Sequence, residues 1–289
     1  MFGNNTIVGK KFFKGQETNK LMVTSRFYTL QGEGPYRGHP AMFVRLAMCN
    51  LDCSFCDTYF DSGENLSFDE LLTQCDNEIS NFYKSNNMEI PSWAIGENRK
   101  IILVMTGGEP TIQPNLKSFL EYAKKWYPIS QIESNGIIHV DLDSSTTYVV
   151  SPKCNEKDKV ATKYLKPNPA TLERADCLKF VMAAPNERFS PYSEVPDWAH
   201  EWAKNTGKPI FVSPMNIYKT EPEKSKQLRA KKDNITIEER SNVDEVISFW
   251  DEGLLDMKAN QINHEYTAKY ALKYGFILNL QIHLYASLA

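Results

Sequence analysis

No hydrophobic run in the chain is long enough to span a bilayer. The first twenty residues, Met1 to Lys20, lack the apolar centre of a secretion signal. Positive charge is not in excess either. The 33 Lys and Arg against 36 Asp and Glu leave a formal charge of −3, so no general attraction to nucleic acid or to an anionic membrane is expected. Six cysteines in 289 residues are too few for a disulfide scaffold, and no internal repeat is present. These absences point to a protein of the reducing cytoplasm, with a small molecule as its substrate class and neither nucleic acid nor membrane as its partner.

What is there is an ordinary globular composition, 42% hydrophobic and 24% charged, sufficient for a buried core. Residues 1–22 read as a polar N-terminal extension. Residues 23–289 read as a single domain, with insertions near 85–98 and 219–242. Within that domain, short apolar runs alternate with amphipathic stretches. Strands are expected at Ala41–Leu46, Ile101–Met105, Ser130–Glu133, Thr147–Val150, Leu178–Met182, Pro209–Val212 and Phe276–Ile282. Helices are expected at Phe68–Tyr83, with Ser67 as N-cap, at Leu116–Trp126, and at Asn260–Tyr274, stopped by Gly275. Alternating strands and helices imply a parallel sheet, wound open or curled into a barrel.

Polar clusters follow five of these strands: Cys49 onward, Thr106–Pro110, Glu133–Gly136, Ser151–Lys153 and Ser213–Asn216. In parallel α/β sheets the ligand site lies at the carboxyl ends of the strands. The most specific cluster is Cys49, Cys53 and Cys56, with the spacing C-x3-C-x2-C. Thiolates are soft ligands suited to iron–sulfur clusters. Three of them leave one iron of a cubane open to a substrate or cofactor. A structural zinc site or an electron-transfer cluster would normally close with a fourth ligand. Cys75, Cys154 and Cys177 lack paired spacing, although one of them could supply it. Three buried structural thiols in eight positions of one loop would be unusual.

C-x3-C-x2-C with Phe55 before the last cysteine, followed by Thr106-Gly107-Gly108-Glu109-Pro110, resembles the radical S-adenosylmethionine enzymes. A narrower resemblance is to the 7-carboxy-7-deazaguanine synthases. It is carried by Tyr28 to Gly34, Gly38, Pro40, Phe43 to Leu46, Cys56-Asp57-Thr58, Glu133 to Gly136, Val150 to Lys153 and Gln281-Ile282-His283. The resemblance implies an incomplete (β/α) barrel. It implies radical ring contraction of 6-carboxy-5,6,7,8-tetrahydropterin to 7-carboxy-7-deazaguanine, with loss of ammonia, on the way to queuosine and other 7-deazapurines. The implied cofactors are a [4Fe–4S] cluster, S-adenosylmethionine and Mg2+. A protein electron donor such as a flavodoxin and a homodimeric state are implied too.

Residue by residue, Cys49, Cys53 and Cys56 match the cluster ligands. Phe55, Cys56 and Asp57 match the loop against the cofactor adenine. Gly108, Ser151, Pro152, Lys153 and the stretch Ser213, Pro214, Met215, Asn216 match other cofactor contacts. Leu30, Gln31, Gly32, Arg45, Thr106 and the terminal Ala289 match substrate contacts, and Thr58 matches the Mg2+ ligand. Arg45 is a planar fork suited to the pterin carboxylate, or else one half of a buried ion pair. Glu33 and Glu109 are each an acid–base group or an orienting acceptor. His283 either touches substrate or is structural.

The chain departs from the family pattern at Met48, where Gly is usual, at Ser213, where Gln is usual, and at Leu284, where Lys is common. Two rivals remain in view. A glycyl-radical-enzyme activase shares the cysteine spacing, and a non-catalytic cluster or zinc protein shares the thiols.

Overall fold

A computed structural model describes residues 6–220, 248–251 and 253–288. The expected stretch 219–242 falls almost wholly outside these residues. One nine-stranded sheet forms the frame. Strand β1 (Lys20–Leu30) alternates buried and partly exposed residues over its first half, a pattern of one covered face. It pairs antiparallel with β2 (Pro40–Leu46) on one side and β3 (Glu64–Ser67) on the other.

From β2 inward the sheet is parallel. It runs through β4 (Ile102–Gly107), β5 (Ser130–Ser134), β6 (Thr146–Val150), β9 (Cys177–Met182), β10 (Ile210–Pro214) and β11 (Ile277–Leu278). Strands β7 (Cys154–Lys157) and β8 (Val160–Tyr164) form a separate hairpin. Asp158 and Lys159 turn it with positive φ at both positions, the geometry that matches strand twist. Among the described residues no ladder joins β3 to β11, so the barrel is incomplete.

Among the described residues the α-helices are α1 (Phe68–Ser85), α2 (Leu116–Ala123), α3 (Pro169–Arg174), α4 (Asp197–Thr206), α5 (Met257–Tyr274) and α6 (Ile282–Tyr285). Helix α1 starts at a capping box: the Glu70 amide donates to Ser67 Oγ, and Glu70 accepts from the Ser67 amide at 2.8 Å. Asp256 caps α5, and Gly275 ends it in the left-handed conformation. The outer face of the sheet, with Val44, Leu103, Met105, Ile132, Val150 and Phe180, packs on Leu71, Ile79, Phe119 and Ala199 of these helices.

Two expectations need correction. Phe276–Ile282 is not one strand. Only Ile277–Leu278 pairs with β10; the Asn279 amide gives a last bond to the Val212 carbonyl at 2.9 Å, and its side chain bonds Ser213 and the Gly34 amide. The chain then closes in α6, which carries His283. Helix α2 also stops at Ala123, three residues short of Trp126. Within the described part of the N-terminal extension, Phe13 is buried, and β1 begins at Lys20.

Gly108 is placed where a Cβ would collide with the Met48 carbonyl, and a Cβ on Gly107, at φ +115°, would strike the Leu46 backbone. Gly108→Ala is therefore expected to lower stability by about 1–3 kcal/mol. Gly9→Ala, with open space around it, should change little. Thermal and urea unfolding of both variants tests this.

Candidate functional site

The carboxyl ends of the parallel strands surround a cavity of about 290 Å3, close to the lower bound for small-molecule sites. It is reached by side chains from every polar cluster noted in the sequence. Cys49, Cys53, Phe55, Cys56, Asp57 and Thr58 line it from the loop after β2. Thr106 and Gly108 come from the turn after β4, Ser151 and Lys153 from that after β6, and Ser213, Pro214, Met215 and Asn216 from the end of β10. Gln31 and Arg45 enter from β1 and β2. Leu30, Gly32 and Pro152 do not line the cavity, and Ala289 lies outside the described residues. Gly32 is instead required by packing, since a Cβ there would sit 2.9 Å from His283 Nδ1.

The cysteine loop is sewn to its neighbours through backbone. The Met48 amide donates to the Phe60 carbonyl at 2.7 Å, the Glu109 amide to the Met48 carbonyl at 2.9 Å, and the Gly108 amide to the Leu46 carbonyl at 2.9 Å. From the β7–β8 hairpin, Glu156 accepts from the Ser54 amide at 3.0 Å. Burial pushes all three thiols up, Cys56 to about 11, so each needs a cation beside it to ionise. The iron of a cluster would supply that partner, and the residues fit an iron–sulfur cluster on that ground. Among the described residues no three His, Cys, Asp or Glu side chains converge as for a single ion. In a cubane each thiolate binds a different iron, so convergence on one point is not needed.

Below the loop the inner face of the sheet carries charge. Arg45 sits in register with Ser25 on one side and Thr106 on the other. Its guanidinium stacks over the Phe27 ring at 4.8 Å. Lys179, in the middle of β9 and only 6% exposed, pairs with both Glu33 and Glu133, the latter at 3.1 Å. Gln31 Nε2 and Gln131 Nε2 also donate to Glu133, at 3.2 and 3.1 Å.

Two carboxylates thus share one ammonium. Burial raises Glu33, with repulsion from Glu133 adding to it. For Glu133, burial is outweighed by the Lys179 charge and the hydrogen bonds, and its carboxyl falls below its ordinary value. Lys179 was not singled out from the sequence. The available signal was a lysine inside the otherwise apolar run Cys-Leu-Lys-Phe-Val-Met.

Glu109 is a buried acceptor, its carboxyl raised by burial. It takes the Thr111 amide at 3.0 Å, the Thr111 hydroxyl at 2.6 Å and the Asn135 amide at 2.7 Å, tying two cavity loops together. Lys153 donates to the Ser151 carbonyl and hydroxyl, and burial lowers its pKa. Ser213 accepts from Asn279 at 3.0 Å, and Asn216 donates to Gln281 at 2.8 Å. Thr58 donates to Asp57 at 3.1 Å. His283 lies on the cavity wall, lowered to about 4 by burial and by the Arg45 charge. It is neutral near pH 7, and its buried Nδ1 has no hydrogen-bond partner among the described residues. A buried polar atom of that kind is satisfied when a ligand fills the cavity.

Lys179→Met should destabilise the fold by about 3–5 kcal/mol near neutral pH, because it leaves two buried carboxylates without a counter-charge. In the native protein the depressed Glu133 contributes stability above its unfolded pKa, and loses it as pH falls through the folded one. In the variant, burial lifts both groups, so protonation favours the fold and the gap to wild type narrows as pH falls toward about 5. Urea denaturation across that range is the measurement.

No family model matches the chain. It is 32% identical over 218 residues to the 7-carboxy-7-deazaguanine synthase of Rickettsia prowazekii, covering 75% of this chain and 81% of that protein. It is 32% identical over 232 residues to the enzyme of that name from Rhodospirillum rubrum, covering 76% and 84%. The crystal structure of QueE from Escherichia coli superposes with a TM-score of 0.51 at 19% identity, over 94% of this chain and 98% of that one. That likeness supports the open-barrel fold. Sequence identity over most of both chains carries the rest: the chain belongs to the 7-carboxy-7-deazaguanine synthase family.

Proposed function

We propose that the chain is a radical S-adenosylmethionine lyase that contracts 6-carboxy-5,6,7,8-tetrahydropterin to 7-carboxy-7-deazaguanine with loss of ammonia, in 7-deazapurine biosynthesis. The observation that carries this is a single cavity. In it three thiols of one loop face a cation, Arg45, and a buried ionic cluster, all on the frame of a family member. The activase and zinc readings have no comparable support.

In this reading Cys49, Cys53 and Cys56 would hold the [4Fe–4S] cluster, and the residues at the end of β10 would contact S-adenosylmethionine. When bound, cluster and cofactor supply the one-electron cleavage that starts radical chemistry. The chain's own residues do the rest. Phe55, braced edge-on by Tyr192 at 5.0 Å, walls the cofactor side together with Asp57, Gly108, Ser151, Lys153 and the stretch Ser213 to Asn216. Arg45 grips the pterin carboxylate as a fork. Its stacking on Phe27 keeps the guanidinium plane fixed while leaving its donors for the ligand. Gln31 and Thr106 flank it. Glu133 stays ionised beside Lys179 and accepts from the pterin ring nitrogens, while Glu33, raised by burial, is the better proton donor. His283, neutral, offers Nδ1 to the same ligand.

Thr58, whose hydroxyl donates to the Asp57 carboxylate, would supply a hard oxygen donor for Mg2+. A flavodoxin-like reductant, a homodimer and a cytoplasmic setting complete the proposal. Among the described residues no helix is long and apolar enough to cross a membrane.

Anaerobically reconstituted protein should convert 6-carboxytetrahydropterin to the deazaguanine, read by mass spectrometry. No conversion by wild type overturns the function. Cys49→Ala, Cys53→Ala and Cys56→Ala should each lose cluster absorbance, while Cys75→Ala keeps it. Arg45→Lys keeps charge but loses the fork. It should shift turnover from ring contraction toward uncoupled 5′-deoxyadenosine, and a product ratio like wild type would make Arg45 structural. Thr58→Ala should keep the cluster, turn over slowly and respond less to added Mg2+; a wild-type rate and Mg2+ response would remove the metal from Thr58.

A further inference from the structure

Met48 has φ +72°, a left-handed conformation that L residues other than glycine adopt only at a cost. It immediately precedes the first cysteine of the loop. Its side chain is 6% exposed and packs with Phe13, also 6% exposed, Ala47 and Ile112, with Val8 and Ile138 at the edge. The contacts are continuous along the N-terminal segment. Ile7 forms a parallel bridge with Cys49, and the Val8 amide donates to the Cys49 carbonyl at 2.8 Å. The Thr6 amide bonds Asp61, and the Thr6 hydroxyl does so at 3.2 Å, at the far end of the same loop. One segment therefore touches the cysteine loop at both its entry and its exit. A glycine at 48 would take this backbone shape freely and offer Phe13 nothing to pack on. The methionine couples the two, because its conformation is compensated only when its side chain is covered.

We propose that residues 6–13, seated on Met48 through Phe13, are a positioning brace that holds the cysteine loop in ligating geometry and shields the back of its cluster. The proposal rests on the cluster reading above, and its test separates the two. The full chain is reconstituted anaerobically as wild type, Phe13→Ala, Phe13→Leu and Val8→Pro. Iron release to a chelator is followed by the decay of cluster absorbance, and hydrogen exchange of residues 48–60 is measured in the protein before iron is added.

Phe13→Ala and Val8→Pro are expected to release iron faster by on the order of tenfold, equivalent to about 1.4 kcal/mol of lost docking. Both should speed exchange in residues 48–60 while leaving exchange in β4 to β6 unchanged. Phe13→Leu should restore most of the wild-type behaviour. In the Met48→Gly background the Phe13→Ala effect should shrink, since the coupled partner is gone. Wild-type release rates and unchanged exchange in Phe13→Ala and Val8→Pro overturn the brace. If wild type binds no iron, the cluster reading fails, and exchange in residues 48–60 alone decides whether the brace holds the loop. If Phe13→Ala unfolds globally, Val8→Pro, which removes one amide donor, decides.

Discussion

The candidate site depends on one close approach of backbone to backbone. The turn at Gly107 and Gly108 lies against residues 46–49 so tightly that neither glycine has room for a Cβ. Two amide hydrogen bonds hold it there, Gly108 to Leu46 and Glu109 to Met48. This contact fixes where the cysteine loop leaves β2 relative to the end of β4. Glu109 extends the tie to Asn135 at the end of β5, so three adjacent strand ends are locked before any side chain faces a ligand. Removing water from these loops makes their backbone hydrogen bonds worth keeping, because an unpaired buried amide or carbonyl is costly.

A second constraint comes from charge. The outer face of the sheet is apolar and covered by helices. The inner face is apolar at its amino end, with Ala41, Phe43, Ile102 and Val104 packed together, and becomes ionic toward its carboxyl end. Lys179 could not be buried alone. Glu33 and Glu133 offset its desolvation, and they come from loop and strand segments far apart in the chain. The ion cluster therefore acts as a pin across the barrel, joining the turn after β1, strand β5 and strand β9.

The loop after β1 and the segment after β11 meet at the same place. Gly34 donates its amide to Asn279 at 3.1 Å, and Gly32 abuts His283. The C-terminal segment thereby lines the cavity on the side where, among the described residues, no ladder joins the two edges of the sheet. The short β11 and α6 belong to this segment, and an apolar run expected to be a seventh parallel strand breaks after two paired residues.

By itself the sequence determined the alternation of strands and helices, the cysteine spacing, and the strand ends from which the polar clusters project. These are local properties: periodicity, capping residues and motif spacing survive in a one-dimensional reading. Ser67 and Gly275 were legible as helix ends for that reason. The tertiary structure alone decided which residues share a space. Lys179 looked like any strand lysine until Glu33 and Glu133 were brought to it. Gly32 and Gly108 match ligand contacts in sequence, and only the structure shows that neither has room for a side chain, because of His283 and Met48. The N-terminal segment reads as a polar tail, and only the structure puts Phe13 in one buried apolar cluster with Met48. Each of these outcomes depends on desolvation and contact between residues distant in sequence, and no local pattern encodes that.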